Sequence, residues 1–376
     1  MQISKIFKNY ILEYLNLYGT KIPENHLKAI NDILSCRTSD LGGNTYYCEN
    51  CDKIHYSYHS CKNRHCPKCG SQDSEKWLEK QTNKLLPVKY FMVTFTLPEE
   101  LRSICRSNQK VFYSTLFKAS ASALRILLRD PQFVGGEAGF TGILHTWTRQ
   151  IQYHPHVHFI VPGGAFDFER NCWNKGGHKF LIPVKALSKR FRNDFEDLLK
   201  MKAPGLYNQI PSEIWREKAF ITNSIPVGKG EKAFTYLANY VYKTAITNNR
   251  IISCIDGNVT FTYKKSDTGK IKYKTIKVME FIRRFLQHVL PFRFQKVRYF
   301  GFLSSASKKR WRTVSEYFNV KVEKPKEDSK LLQPPKAVFC RHCNSEMVEH
   351  ASVLRRPRAP PRKIISRILQ KISKTD

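Results

Sequence analysis

Acidic residues are scarce in this chain. Across 376 residues, 31 Asp and Glu stand against 64 Lys and Arg, a formal net charge of +33. The deficit runs through the whole sequence and points to a polyanionic partner. Phe and Tyr interleave with the bases, which favours nucleic acid over a membrane surface. Long apolar runs are missing too. None approaches the roughly 18 residues of a membrane span, so no membrane partner is expected. Charged or polar residues recur every few positions after Met1, unlike a secretory signal, and the expectation is a cytoplasmic, nucleoid-associated protein of a prokaryote. The hydrophobic content, 41%, suits a chain that buries a core, and the length allows two or three domains. Cysteine is plentiful at eleven, an odd number set mostly in close pairs. In a reducing compartment that pattern means metal thiolates rather than disulfides.

Cys48-x2-Cys51 and Cys66-x2-Cys69 are separated by residues 52–65. Four thiolates so spaced can close a tetrahedron around one structural zinc and leave no open position for catalysis. Cys36, Cys61, His55, His59 and His65 lie close by, and one of them, such as Cys61 or His65, could replace a ligand. Arg64 and Lys68 decorate the second knuckle and are candidate contacts to DNA phosphates. Cys340-x2-Cys343, with His342 and His350 nearby, is half a knuckle and a candidate for a second metal.

Apolar spacing predicts helices over 3–18, stopped by Gly19, and from Pro23 to Leu34. A helix over 74–86, a strand over 89–97 and a long helix over 99–129 follow. Next come a strand over 139–149, an amphipathic helix over 183–200 and a short strand near 218–225. Strands over 250–278 are joined by Asp256-Gly257-Asn258 and Asp267-Thr268-Gly269 turns. A helix over 279–290 carries Arg283 and Arg284. The run 293–302 alternates bases with aromatics, Arg298 and Tyr299 among them, and offers phosphate contacts and a base to stack on. From 321 the composition shifts to Lys, Glu, Pro and Ser, as in a linker, and a basic tail closes the chain.

The segment Tyr153-His154-Pro155-His156-Val157-His158-Phe159-Ile160-Val161 gathers metal-binding chemistry. As a strand it points His154, His156 and His158 to one face. Pro155 disfavours a helix there. Neutral imidazoles so crowded can share a cation. The few residues before His154 allow a hairpin with the 139–149 strand, which brings His145 and Gln152 close. On a helix, Tyr236, Tyr240 and Lys243 share one face at i, i+4 and i+7. Beside such a cation in a very basic chain they suit transesterification on DNA. The ion, on His156 and His158, would bind a non-bridging oxygen of the scissile phosphate. A tyrosine would displace the 3′ oxygen and keep the 5′ phosphate, with no need of ATP. A phenol near pKa ~10 needs a nearby cation to favour its ionised form, a role for the metal and Lys243. Imidazoles usually select zinc, iron or nickel, whereas phosphate chemistry favours magnesium or manganese. Mn²⁺ in vitro and Mg²⁺ in the cell are expected.

His-Val-His at 156–158, Phe95-Thr-Leu97 and Tyr-x-x-Lys at 240–243 together resemble the ordered motifs of the HUH endonucleases. Other stretches resemble the insertion-sequence transposases of the IS91 family. They are Cys36-Arg-Thr through Leu41-Gly-Gly, Ser60-Cys-Lys-Asn-Arg-His-Cys-Pro-Lys-Cys69, Leu144-His-Thr-Trp147, His154-Pro-His-Val-His158, Tyr236-Leu-Ala-Asn-Tyr240, and Glu280-Phe-Ile-Arg-Arg-Phe through Gly301-Phe-Leu303. The resemblance spans roughly residues 30–305. It implies an N-terminal zinc domain and a nuclease with two tyrosines four apart, acting on single-stranded or hairpin DNA ends by a rolling-circle-like route. Tyr236 and Tyr240 would be nucleophiles, Tyr240 alone where one tyrosine suffices. His156 and His158 would be ligands. The third ligand is not fixed by the motif, and His154, Gln152 and His145 are candidates in that order. The fold implied is α+β, a central antiparallel sheet with flanking helices.

The expected domains are residues 1–86 (helices and zinc), 87–320 (nuclease and strand transfer) and 321–376 (basic tail). A rolling-circle replication initiator would share the chemistry but nick a plasmid or phage origin. A zinc-dependent DNA-binding regulator would form no covalent adduct, and a metallohydrolase would turn over through water without linkage to protein.

Overall fold

The computed structural model describes residues 1–69, 71–177, 181–216, 220–242, 244–265, 267–320, 337–355, 365–366 and 368. The chain divides into two compact units: 1–71, 243–289 and 323–376 form one, and 72–242 with 290–322 form the other. The path therefore enters the first unit three times.

The first pass lays down α1 (Ile3–Tyr18) and α2 (Glu24–Ser35). Ile3, Ile6, Phe7, Ile11, Tyr14 and Leu15 make the buried stripe of α1, and Gly19 ends it at φ 45. Two short strands follow, β1 (Gly43–Cys48) and β2 (Lys53–Tyr58), an antiparallel hairpin.

The second unit begins with α3 (Ser71–Thr82), β3 (Tyr90–Thr96), α4 (Arg102–Ser107) and α5 (Gln109–Arg129). The long helix expected over 99–129 is broken at Asn108, whose backbone leaves the helical region (φ −127, ψ 43) while its side-chain amide donates to the Ile104 carbonyl. An asparagine that can bond back to its own turn competes with helix continuation. By length and composition α5 could cross a membrane, but 61% of its most apolar stretch is buried, so it is a core helix.

Next come β4 (Phe140–Trp147), β5 (Tyr153–Pro162), β6 (Gly164–Asp167) and β7 (Cys172–Lys175). They lead to α6 (Val184–Lys202), α7 (Pro204–Tyr207), α8 (Ser212–Arg216), β8 (Ile221–Pro226) and α9 (Glu231–Tyr242). The chain re-enters the first unit with β9 (Ile251–Ile255), β10 (Asn258–Lys264), β11 (Ile271–Lys277) and α10 (Val278–Leu286). Asp256 and Gly257 both take positive φ between β9 and β10, the mirror-image turn that matches strand twist. Phe285 of α10 meets Phe7 of α1 edge to face at 5.3 Å. β12 (Val297–Phe300) and α11 (Lys308–Tyr317) return to the second unit. Residues 321–336, read from composition as a linker, lie outside the described residues. Beyond them β13 (Val338–Phe339) and β14 (Glu346–Val353) belong to the first unit, so part of the tail is strand.

The second unit is built on a five-stranded antiparallel sheet in the order β12-β4-β5-β3-β8. Strand alternation decides what each face carries. Phe91, Val93 and Phe95 of β3, with Val157, Phe159 and Val161 of β5, point to one face. There they pack with Phe112, Leu116 and Phe117 of α5 and Leu187, Phe191 and Phe195 of α6. On the opposite face Tyr90, Ile143 and Ile160 pack with Ala233, Phe234, Leu237, Ala238 and Val241 of α9. The fold class is thus α+β, a central antiparallel sheet with helices on both faces.

Candidate functional site

The face under α9 is also the histidine face. His156 and His158 are even-numbered residues of β5, like Ile160, and His145 stands directly opposite His156 on β4. One nitrogen from each of His145, His156 and His158 lies within 4.8 Å of the other two. His145 Nδ1 and His156 Nε2 are 2.9 Å apart. Donors adjacent on an octahedral ion with bonds of about 2.1 Å lie about 3.0 Å from each other, so the pair is spaced to share a cation. His156 Nδ1–H donates to the His154 carbonyl at 2.7 Å, which leaves its Nε2 lone pair facing the group. His158 Nδ1 meets the Thr94 hydroxyl of β3 at 2.8 Å. With the proton on Nδ1 given to Thr94, the other nitrogen keeps its lone pair, the usual way a second residue fixes a ligand's tautomer.

Each of the three rings is less than a tenth exposed. Burial, with the neighbouring His158 and His154 adding to it, pushes His156 well below its ordinary pKa. Burial and His154 push His158 down to about 4. His156 and His158 are therefore neutral at physiological pH, and protons compete little with a metal there. Three imidazoles, with no carboxylate in the group among the described residues, fit a divalent transition ion, manganese included, better than magnesium.

Among the expected third ligands, the group includes His145 rather than His154. His154 is only half-buried, its ring centroid 5.0 Å from that of His156, and Gln152 is exposed in the β4–β5 turn. The hairpin register makes the choice, since it sets His145 across from His156. Tyr236 is exposed on α9. Tyr240 lies one turn further along the helix, its side chain outside the described residues, as is all of Lys243. The helix begins at Glu231, just after Gly230, which lies against Tyr90, and Tyr90 pairs with Pro162 on β5. It then lies over Ile160 and Ile143, whose next same-face neighbours are His158 and His145. Thr94 was missed from sequence, although it shares strand parity with Tyr90.

The candidate DNA contacts differ in their surroundings. Arg64 and Lys68 are partly exposed near Cys66. Arg283 grips Glu280 through two nitrogens at 2.6 and 2.8 Å, and Arg284 holds the same carboxylate at 2.6 Å. Together they hold Glu280 down to about 2. Arg298 lies over the rings of Phe117 and Phe294, at 4.4 and 5.1 Å. Tyr299 accepts a hydrogen bond from Trp77 Nε1 at 3.1 Å. These last four are engaged within the protein. A groove missed from sequence, about 510 Å³, lies along β8; its lining is mostly apolar, with Val184, Phe220 and Ile221, and it also includes Lys185, Lys189 and Arg192 of α6.

The cysteines pair differently from the expectation of one quartet made of Cys48, Cys51, Cys66 and Cys69. Two quartets form: Cys36, Cys61, Cys66 and Cys69, and Cys48, Cys51, Cys340 and Cys343. The cause is the β1–β2 hairpin. Cys48 and Cys51 flank its turn, while Cys36 and Cys61 lie beyond the other end, where Gly43 pairs with Tyr58. The six residues of β1 set those ends roughly 17 Å apart, too far for one ion. Cys61, considered as a replacement, is a full member of the first quartet, and His65 is not. In that quartet Sγ atoms are 3.5 Å (Cys36–Cys69) and 3.7 Å (Cys61–Cys69) apart. A zinc tetrahedron with bonds of about 2.3 Å has edges of about 3.8 Å, and all eleven cysteines are free of disulfides.

A three-imidazole group on an antiparallel sheet, a zinc-binding module and a strong positive charge together define a metal-binding protein that handles nucleic acid. A family described as "Transposase zinc-binding domain" matches residues 6–97, and one described as "Putative transposase" matches residues 139–310. "Putative transposase y4qJ" of Sinorhizobium fredii (strain NBRC 101917 / NGR234) is 34% identical over 321 residues, 81% of this chain and 80% of that protein. "Transposase for insertion sequence element IS801" of Pseudomonas savastanoi pv. phaseolicola is 28% identical over 298 residues, 74% of this chain and 70% of that protein. No solved structure matches. The chain belongs to the IS91 family of transposases, and its partner is DNA.

Proposed function

We propose that the protein cleaves and rejoins single-stranded or hairpin DNA at insertion-sequence ends by tyrosine transesterification, in a rolling-circle-like route within the prokaryotic cytoplasm. The observation that carries the proposal is the face shared by His145, His156, His158 and the packed helix α9. His145, His156 and His158 would hold a divalent ion, and of the two expected, Mn²⁺ and Mg²⁺, the three imidazoles favour Mn²⁺. When bound, it withdraws electron density from a non-bridging phosphate oxygen and favours in-line attack. Thr94 and the His154 carbonyl orient the rings. A tyrosine of α9, Tyr240 or Tyr236, loses its hydroxyl proton and forms a bond to phosphorus. The bond from phosphorus to the 3′ oxygen breaks, and that oxygen takes up a proton. The 5′ phosphate stays on the tyrosine, and a free 3′ hydroxyl can reverse the step and join strands. Lys243 favours the ionised phenol.

Labelled hairpin DNA incubated with the protein and Mn²⁺, then run on a denaturing gel, tests this. A shifted covalent band is expected. It should be lost in Tyr236→Phe with Tyr240→Phe, and in His145→Ala, but kept in His154→Ala. A band that survives the double tyrosine substitution refutes the nucleophile assignment.

A further inference from the structure

Cys340 and Cys343 lie beyond both family matches, the later of which ends at residue 310, yet the fold carries them back to Cys48 and Cys51. We infer that these four thiolates bind a second zinc ion, and that it clasps residues 337–353 to the β-sheet of the first unit. The spacing is that of a thiolate tetrahedron: Cys48–Cys343 3.4 Å, Cys51–Cys340 3.5 Å and Cys51–Cys343 3.8 Å between sulfurs. Cys48 and Cys340 are buried, packed with Met347. Four free thiols crowded at such distances have little reason to meet unless something binds them.

The two quartets share a local design. In the first, the backbone N–H of Asn63 donates to Cys61 Sγ at 3.4 Å, and in the second the N–H of His342 donates to Cys340 Sγ at the same distance. Such N–H groups stabilise a thiolate, the form that binds metal. His55 Nε2, 3.6 Å from Cys340 Sγ, is a further polar neighbour of that sulfur.

The seat of the returning strand is built as well. β14 lies between β13 and β1 in a four-stranded sheet. Thr45 Oγ1 donates to the Ala351 carbonyl at 3.0 Å. Gly42, at φ 67, sits where a Cβ would come 2.5 Å from the Val353 carbonyl oxygen, so a glycine is needed for β14 to dock. Cys51 and Cys340 are 289 positions apart. Closing so long a loop is entropically unfavourable, and a shared ion offsets that loss.

The inference is independent of the strand-transfer proposal, and its test reads metal and thiols rather than activity. Full-length protein, dialysed free of loosely bound metal, is assayed for zinc per chain. Two ions are expected, falling to one in Cys340→Ser with Cys343→Ser, and to one in Cys61→Ser with Cys66→Ser. Since a serine variant can fail to fold, the unmutated protein is also alkylated with iodoacetamide and mapped by mass spectrometry. Cys48, Cys51, Cys340 and Cys343 should be protected in the zinc-loaded chain and become reactive together on chelation, with Cys172 reacting alike in both. One zinc per unmutated chain overturns the inference. So does alkylation of Cys340 and Cys343 that is as fast before chelation as after.

Discussion

Replacing Thr94 by valine removes one oxygen and almost no volume, so it isolates what the hydroxyl does for His158. The bond at stake is 2.8 Å long and meets a ring only 9% exposed. Valine suits a strand at least as well as threonine, so β3 should form normally. What is lost is the hydroxyl partner of His158 Nδ1, which, when it accepts, keeps the proton on Nδ1 and holds the ring plane. A neutral hydrogen bond contributes about 0.5–1.5 kcal/mol net, and leaving a buried donor unmatched costs about 1–3 kcal/mol. For metal ligands, losing such a partner weakens affinity roughly 10- to 100-fold, or about 1.4–2.7 kcal/mol. Isothermal titration with Mn²⁺ on zinc-loaded protein should give a Thr94→Val dissociation constant raised by that factor, with the secondary structure unchanged by circular dichroism. An affinity equal to that of the unmutated protein refutes Thr94 as the residue that orients His158.

Other outcomes follow from other parts of the molecule. Burial lowers His26 to about 4 from an ordinary 6.5, so the unfolded chain takes up a proton first as pH falls. Stability should be full above about pH 6.5 and decline towards pH 4, by at most about 3 kcal/mol; urea titrations across that range should show the decline flattened in His26→Gln. A Cβ at Gly142 would come 2.6 Å from Phe159, a fully buried ring packed edge to face against Phe95 and Phe140. Gly142→Ala should therefore cost about 1–3 kcal/mol through overpacking, read as a lower denaturation midpoint. If Lys185, Lys189 and Arg192 track a DNA backbone, changing all three to glutamine should weaken single-strand binding. It should also shallow the slope of log K against log salt by roughly 2, at about 0.7 per lost phosphate contact.

Much of this molecule is legible in its sequence because period and punctuation are local. The apolar stripe of α1, the Asp256-Gly257 turn and the alternation through 154–161 each follow from a few consecutive residues. Partners across strands do not. His154, His156 and His158 share a face as their spacing requires, but the third member of the group is His145, chosen by the β4–β5 register. The cysteine quartets fail from proximity reasoning for a related cause. Cys48 and Cys66 are near in sequence, yet a strand of β1 holds them apart, while Cys340 returns from the far end of the chain. Arg298 looks like a surface cation in a basic aromatic run, but strand parity turns it towards Phe117 and Phe294, and no residue within its own segment reveals that.

The most direct test of the central claim is to locate the bond to DNA. After reaction with hairpin DNA and Mn²⁺, nuclease trimming and trypsin digestion, tandem mass spectrometry should find a nucleotide remnant on the peptide 233–243, attached to Tyr236 or Tyr240. A remnant on a tyrosine outside α9, or turnover of the DNA with no linked peptide, would contradict the account.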